Sequence, residues 1–173
     1  ILRSLVQEVN SARDLQEALD VIVSRVQKAM DTEVCSVYLL DPATNRYILM
    51  ATECLYQQAV GQVSLAYSEG LIGLVGSREE PINLEDAPSH PRYRYFPETG
   101  EERFRSFLGV PIIHHRRVLG VLVVQQRESS RCFDEGEEAF LVTVSAQLAG
   151  VIAHSEATGA ISGLSLTGEE ATD

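Results

Sequence analysis

Two near-continuous apolar runs constrain this chain more than any other feature. Phe107-Leu-Gly-Val-Pro-Ile-Ile113 and Val118-Leu-Gly-Val-Leu-Val-Val124 are separated only by His114-His-Arg-Arg117. Both runs have strand length and strand composition, and the polar residues between them read as a hairpin tip. A strand that is apolar on both faces must be covered on both faces. The chain therefore needs a layer on each side of a sheet, with this hairpin in the middle. Pro111 cannot donate to a ladder, so it predicts a bulge or an edge-facing position in the first run.

The flanking segments supply the covering layers. Leu2, Leu5, Val6 and Val9 recur at helical spacing, and Asn10-Ser11 interrupts them. Asp14 followed by Glu17 is a capping box, and Leu15 to Met30 then forms one apolar stripe, which predicts a helix over 14–30. The period changes after Asp31. Val34–Leu40 and Tyr47–Thr52 read as two strands joined by the turn cluster Asp41-Pro-Ala-Thr-Asn45. A shorter strand follows at Val63–Ala66. Leu71–Gly76 reads as a short helix in which Gly73 and Gly76 allow close approach, and Pro81–Leu84 as a brief edge strand. Residues 86–106 are irregular. Asp134 and Glu137 cap a last helix over 137–154. Helices at both ends of a strand-rich centre predict an α+β fold, an antiparallel sheet with helices packed on it.

Charge narrows the function classes. Among 173 residues, Asp and Glu number 25 and Lys and Arg 14, a net charge of -11. This argues against a nucleic-acid partner, which needs clustered cations, and against an anionic membrane surface. No apolar run in the sequence reaches the ~20 residues of a membrane span. Cys35, Cys54 and Cys132 show no ligand or disulfide spacing. They point to a reducing, cytoplasmic setting and to no metal site. The chain starts at Ile1 rather than Met, as expected for a piece of a longer protein.

Few motifs carry chemistry. Glu69-Gly-Leu-Ile-Gly-Leu-Val-Gly76 lacks the Gly-Lys-Ser/Thr ending of a phosphate loop, so packing glycines are the better account. His90, His114, His115 and His154 are scattered, and no nucleophile–base constellation can be assembled from chain order. We therefore expect no catalytic residue in this segment. Between Tyr93 and Arg105, aromatics alternate with arginines just before the buried strand. An arginine at a pocket mouth can clamp a carboxylate bidentately; the plainer alternative is a solvated face paired with Glu98, Glu101 and Glu102. Phe140 to Ile152 is apolar on more than one helix face. It needs cover from the sheet and from either the N-terminal helix or a second subunit, which makes a homodimer through the terminal helices an expectation.

These blocks, taken in order, resemble a GAF domain over roughly residues 5–156. The carrying residues are the stripe Leu15–Met30, Val34–Leu40, Glu69-Gly-Leu-Ile-Gly, Pro81-Ile-Asn-Leu-Glu-Asp-Ala, the Gly-Val-Pro-Ile and Gly-Val-Leu hairpin, and Phe133-Asp-Glu-Gly-Glu. Met30–Leu40, Glu80–Leu84, Glu101–Ile113 and Gly120–Arg127 further resemble the N-terminal GAF domain of nitrogen-branch enzyme I. That family comprises the bacterial phosphoenolpyruvate-protein phosphotransferases of the nitrogen phosphotransferase system. The resemblance implies a GAF-like central antiparallel sheet of about six strands with helices on both sides. It implies a domain over 1–156 and a linker over 157–173 toward catalytic domains absent here. Magnesium and phosphoenolpyruvate would belong to those domains, and no cofactor to this segment. No bilin-attachment cysteine context is present. Of the Asn-Lys-x-Phe-Asp-Glu pattern of cyclic-nucleotide phosphodiesterase GAF domains only Phe133-Asp-Glu remains.

The resemblance implies a cytoplasmic sensory module for a small metabolite, of the glutamine or 2-oxoglutarate class, that regulates phosphotransfer by downstream domains of the same chain. Strand alternation puts Cys35, Val37 and Leu39 on one face and Ser36, Tyr38 and Leu40 on the other, without saying which face holds the pocket. The candidate ligand-binding residues are Ser36, Tyr38, Tyr67, Arg103, Arg105 and Phe107, with Arg105 as the carboxylate clamp. Two alternatives stand beside this one. The first is a dimerisation module without a ligand. The second is a stand-alone enzyme such as a methionine sulfoxide reductase, which would need reactive cysteines, whereas Cys35 falls on a buried strand.

Overall fold

In the computed structural model, residues 2–94, 97–99, 104–127 and 131–157 are described. The elements in chain order are α1 (Leu2–Asn10), α2 (Leu15–Met30), β1 (Val34–Asp41), β2 (Arg46–Glu53), β3 (Ser64–Ala66), α3 (Gly70–Arg78), β4 (Ile82–Leu84), β5 (Ser106–His114), β6 (Arg117–Gln126) and α4 (Glu135–Ala157). The apolar hairpin is β5 and β6, and it lies inside one six-stranded sheet of order β3-β2-β1-β6-β5-β4. All pairings are antiparallel. At the hairpin tip His115 and Arg116 both have positive φ, 48° and 66°, as a two-residue turn between twisted strands requires. Pro111 is tolerated because β4 pairs only with Phe107–Gly109, so Pro111 lies beyond the end of that neighbour. The register shifts one residue further on, between Ile112 and Ile113.

Caps set the helix bounds. The Asp14 carboxylate accepts the Glu17 N–H at 2.8 Å, and α2 ends where Asp31 turns left-handed. At α4 the box is reciprocal. Asp134 accepts the Glu137 N–H at 2.8 Å, and Glu137 accepts the Asp134 N–H at 3.1 Å. The helix extends slightly past the expected span at both ends, since a cap fixes where a helix starts but apolar period does not.

The two faces of the sheet are covered differently. Cys35, Val37, Leu39, Leu108, Val110, Ile112, Leu122 and Val124 pack with buried side chains of α1, α2 and α4 into one cluster. Tyr38, Tyr47, Leu49, Phe107, Val121 and Val123 pack with Leu71, Ile72, Leu74 and Val75 of α3 into another. Both apolar strands are thus buried on both sides, as their composition demands. Helix α4 is long and apolar enough, by length and composition, to cross a membrane. Here Leu141, Val144, Leu148 and Ile152 are fully buried against the core, and about a third of the apolar stretch is buried in all.

Gly76 shows how closely α3 sits on the sheet. A Cβ there would lie 1.8 Å from Tyr47 Oη. Gly73 is equally constrained, with Ser68 backbone 2.5 Å from the position of an added Cβ. The motif read from sequence as packing glycines does that work.

Candidate functional site

The even-numbered face of β1 carries the polar chemistry. Ser36 is fully buried, and its hydroxyl lies 2.9 Å from that of Thr52 on the paired strand. Two positions along, Tyr38 faces a small cavity of about 30 Å³ between the sheet and α3. Phe107 and Gln125 line it from β5 and β6, Leu71 and Ile72 from the first turn of α3, and Tyr93 and Arg94 from the segment above. A void of that size holds about one water molecule. Anything much larger than water needs the lining to move apart.

That segment is held by ion pairing rather than by apolar packing alone. The Arg94 guanidinium pairs with Glu69, the residue before α3. Arg92 donates to the Ser68 carbonyl. The Glu69 carboxylate also accepts the Ala66 N–H at 3.2 Å. Gly70, with φ of +67°, lets the start of α3 run beneath this clasp; an added Cβ would be 3.7 Å from Arg94 Cβ. Outside it lies an open polar cleft of about 460 Å³, which Arg46, Gln62, Ser64, Glu69, Arg94 and Glu98 help to line. Arg94 belongs to both spaces, so the Glu69–Arg94 pair stands between outer cleft and inner cavity.

The six sequence candidates fall into different places. Tyr38 and Phe107 line the cavity. Ser36 lies on the same face and bonds Thr52. Tyr67 is 39% exposed and stacks on Tyr47 at 6.3 Å between ring centroids, outside the cavity. Arg105 has an exposed side chain; its backbone bridges Gln126 and Ala87. Arg103 lies outside the described residues. The cavity adds Tyr93, Arg94 and Gln125, which were not among the candidates. Gln125 had a readable signal: it continues the Val121, Val123 alternation with a polar group. Nothing in the sequence separates Arg94 from the other arginines of its loop.

Reactive and metal-binding groups are sparse. Among the described residues, no group of three or more His, Cys, Asp or Glu side chains could hold a metal ion. Burial pushes the Cys35 thiol far up, with Glu53 adding to the effect. It is therefore a protonated thiol at neutral pH. Cys54 is exposed, yet partial burial and the nearby Glu53 and Glu33 raise it too.

The comparison with known families decides the classification. The GAF domain pattern matches residues 14–152. The chain belongs to the GAF domain family. It is similar to the GAF domain of a phosphoenolpyruvate-protein phosphotransferase from Coxiella burnetii. That likeness has 50% identity and a TM-score of 0.88, covering 92% of this chain and 94% of that one. The corresponding Acinetobacter GAF domain is 51% identical with a TM-score of 0.83, covering 91% and 94%. A phosphoenolpyruvate-dependent phosphotransferase system protein of Salmonella typhimurium is 54% identical over 157 residues, which is 91% of this chain. The chain spans 21% of that relative's length. This GAF domain is thus of the phosphotransferase type, and its six-stranded sheet with helices on both sides is the fold its sequence implied.

Proposed function

We propose that this GAF domain is the sensory, regulatory part of a bacterial, cytoplasmic phosphoenolpyruvate-protein phosphotransferase. It binds a small polar metabolite of the glutamine or 2-oxoglutarate class and so controls phosphotransfer by downstream domains of the same chain. The observation that carries this reading is the cavity of Tyr38, Gln125 and Arg94 at the start of α3, on the sheet face opposite the aliphatic core. Polar side chains at an otherwise apolar helix start orient a small ligand.

The route outward follows from strand geometry. Phe107 and Gln125 face the cavity, while their chain neighbours Leu108 and Val124 pack in the cluster that holds α4. A ligand that prefers an open cavity shifts the population of these strands and of the helix on their far side. The segment itself performs no chemistry in this scheme; phosphoenolpyruvate and magnesium act in the downstream domains. A second reading, a dimerisation module without a ligand, is favoured by the stretch of α4 from Ala139 to Ser155, which carries no Asp, Glu, Lys or Arg and leaves Val142 40% exposed.

A thermal-shift screen against L-glutamine, 2-oxoglutarate and nucleotides tests the reading. A ligand at 100 times its Kd adds about 2.7 kcal/mol of stability. Calorimetry on Arg94→Ala and Arg105→Ala then assigns the clamp. We expect Arg94→Ala to weaken binding more than Arg105→Ala. No shift with any metabolite sinks the sensory reading.

A further inference from the structure

Glu69 immediately precedes α3 but does not cap it. At the N-cap position a side-chain oxygen ordinarily accepts a first-turn N–H, and Glu69 makes no such bond. Its two carboxylate oxygens are engaged elsewhere. Oε1 accepts the Ala66 N–H at 3.2 Å, and Oε2 pairs with the Arg94 guanidinium. Arg94 lines both the inner cavity and the outer cleft. An arginine placed to receive a carboxylate from outside thus already holds one from its own chain.

We propose that Glu69 is an internal competitor for the ligand. Its carboxylate occupies Arg94 until the carboxylate of a small molecule displaces it. The proposal rests on the sensory reading of the cavity and adds what selects the ligand and lets it in. The displacing carboxylate would lie between Arg94 and the start of α3, whose uncapped N–H groups favour an anion. The other end of the ligand would meet Gln125. That side chain lines the cavity, is 9% exposed, and has no hydrogen-bond partner among the described residues.

The exchange is balanced. The Arg94 side chain is 58% exposed and that of Glu69 22%, so water screens the pair and it is readily traded. A carboxylate ligand replaces one ion pair by another, whereas a ligand without a carboxylate breaks the pair and offers nothing in return. Glu69 also has a second cation within its cleft. Arg46 is the register partner of Ala66 across the β2–β3 pairing and lines the outer cleft. It donates to Ser64 Oγ at 3.0 Å and to the Ser64 carbonyl at 3.2 Å, and it has no carboxylate partner among the described residues. Release of Arg94 undoes one tie of the Tyr93–Arg94 segment to the start of α3; Arg92 on the Ser68 carbonyl is another. The lining can then part.

Glu69→Gln tests this, because the amide keeps an oxygen for the Ala66 N–H and gives up the charge that holds Arg94. The first probe is sodium acetate, titrated against sodium chloride at constant ionic strength. The readout is the Arg94 Nε–Hε NMR signal, assigned by its loss in Arg94→Ala. We expect Glu69→Gln to half-saturate at roughly two- to fivefold less acetate than the parent, the range set by an exposed ion pair. Calorimetry with L-glutamine and 2-oxoglutarate should show the same gain, and the gain should vanish in an Arg94→Ala background. L-Glutaminamide, which lacks the carboxylate, should bind neither chain. A response to acetate or metabolite that is unchanged or weaker in Glu69→Gln overturns the competitor role, and binding to the parent then still upholds the sensory reading. L-Glutaminamide binding as tightly as L-glutamine overturns it as well. Acetate responding as expected while neither metabolite binds either chain supports the competitor for a different carboxylate, and overturns the glutamine or 2-oxoglutarate reading.

Discussion

Beneath α2 and α4 the sheet presents Cys35, Val37, Leu39, Leu108, Val110, Ile112, Leu122 and Val124, all aliphatic or thiol and nearly all fully buried. Beneath α3 it presents Tyr38, Tyr47, Leu49, Phe107, Val121 and Val123, with a small void beside Tyr38, Phe107 and Gln125. The first face is filled by side chains that interdigitate and need no partner. The second mixes aliphatic side chains with aromatic rings and hydrogen-bonding groups around a small void. The same strands make both, one residue out of phase. The difference teaches that stability and recognition can be written into alternate positions of one strand, so that each is tuned without rewriting the other.

Truncation should expose this division most strongly. Leu108→Ala, in the aliphatic cluster, is expected to cost about 2–5 kcal/mol, because surrounding side chains cannot collapse into the gap. Ile72→Ala, on the cavity wall, should cost less, because the enlarged space has polar edges and can take up water. Urea denaturation of the two variants measures this. Equal losses would break the comparison and make the two faces one continuous core.

The contrast in glycines is the next largest. Gly76→Ala drives a methyl into Tyr47, an overpacking that should cost about 1–3 kcal/mol. Tyr47→Phe in the same chain should recover part of this, since the nearest atom is the phenol oxygen at 1.8 Å. Gly150→Ala, in open space on α4, should instead gain up to about 1 kcal/mol from helix propensity. A thermal-melt double-mutant cycle for Gly76 and Tyr47 gives the coupling. No coupling would mean that α3 shifts freely off the sheet.

Much of the aliphatic face was legible in the sequence, and little of the other. The stripe Leu15–Met30, capped by Asp14, fixes α2 because period and cap agree. The runs from Phe107 and Val118 identify the central hairpin because only a doubly covered strand tolerates them. Strand alternation separates Ser36 and Tyr38 from Cys35 and Val37, but it cannot say which set meets α3, since that depends on chain crossings rather than local pattern. The same limit applies to the loop arginines. Arg92, Arg94 and Arg105 share one composition signal, yet the position of Glu69, some 25 residues from Arg94 in sequence, brings Arg94 to the cavity. Short helical turns at Gln57–Ala59 and Ala87–Ser89 carry no periodicity and were not foreseen.

The smallest effect is also the most specific to the α3 side. The Tyr47 hydroxyl is buried against Gly76 and has no hydrogen-bond partner among the described residues. Tyr47→Phe should therefore raise stability by about 1 kcal/mol at neutral pH, because an unpaired buried hydroxyl is lost rather than a bond. Burial, with Tyr67 and Glu79 adding to it, pushes the phenol up to about 12. An unfolded tyrosine ionises near 10. Between those values the unfolded chain releases the proton while the folded chain keeps it. Stability that is fully present below pH ~10 is then lost as pH rises toward about 12. Cys35, raised by burial, adds its own loss above the unfolded thiol range, but it does so equally in both chains. The gap between Tyr47→Phe and the parent should consequently widen from pH 9 to pH 11, measured by urea midpoints. A gap constant with pH would mean that the phenol reaches water, and that the α3 side is open where the aliphatic side is closed.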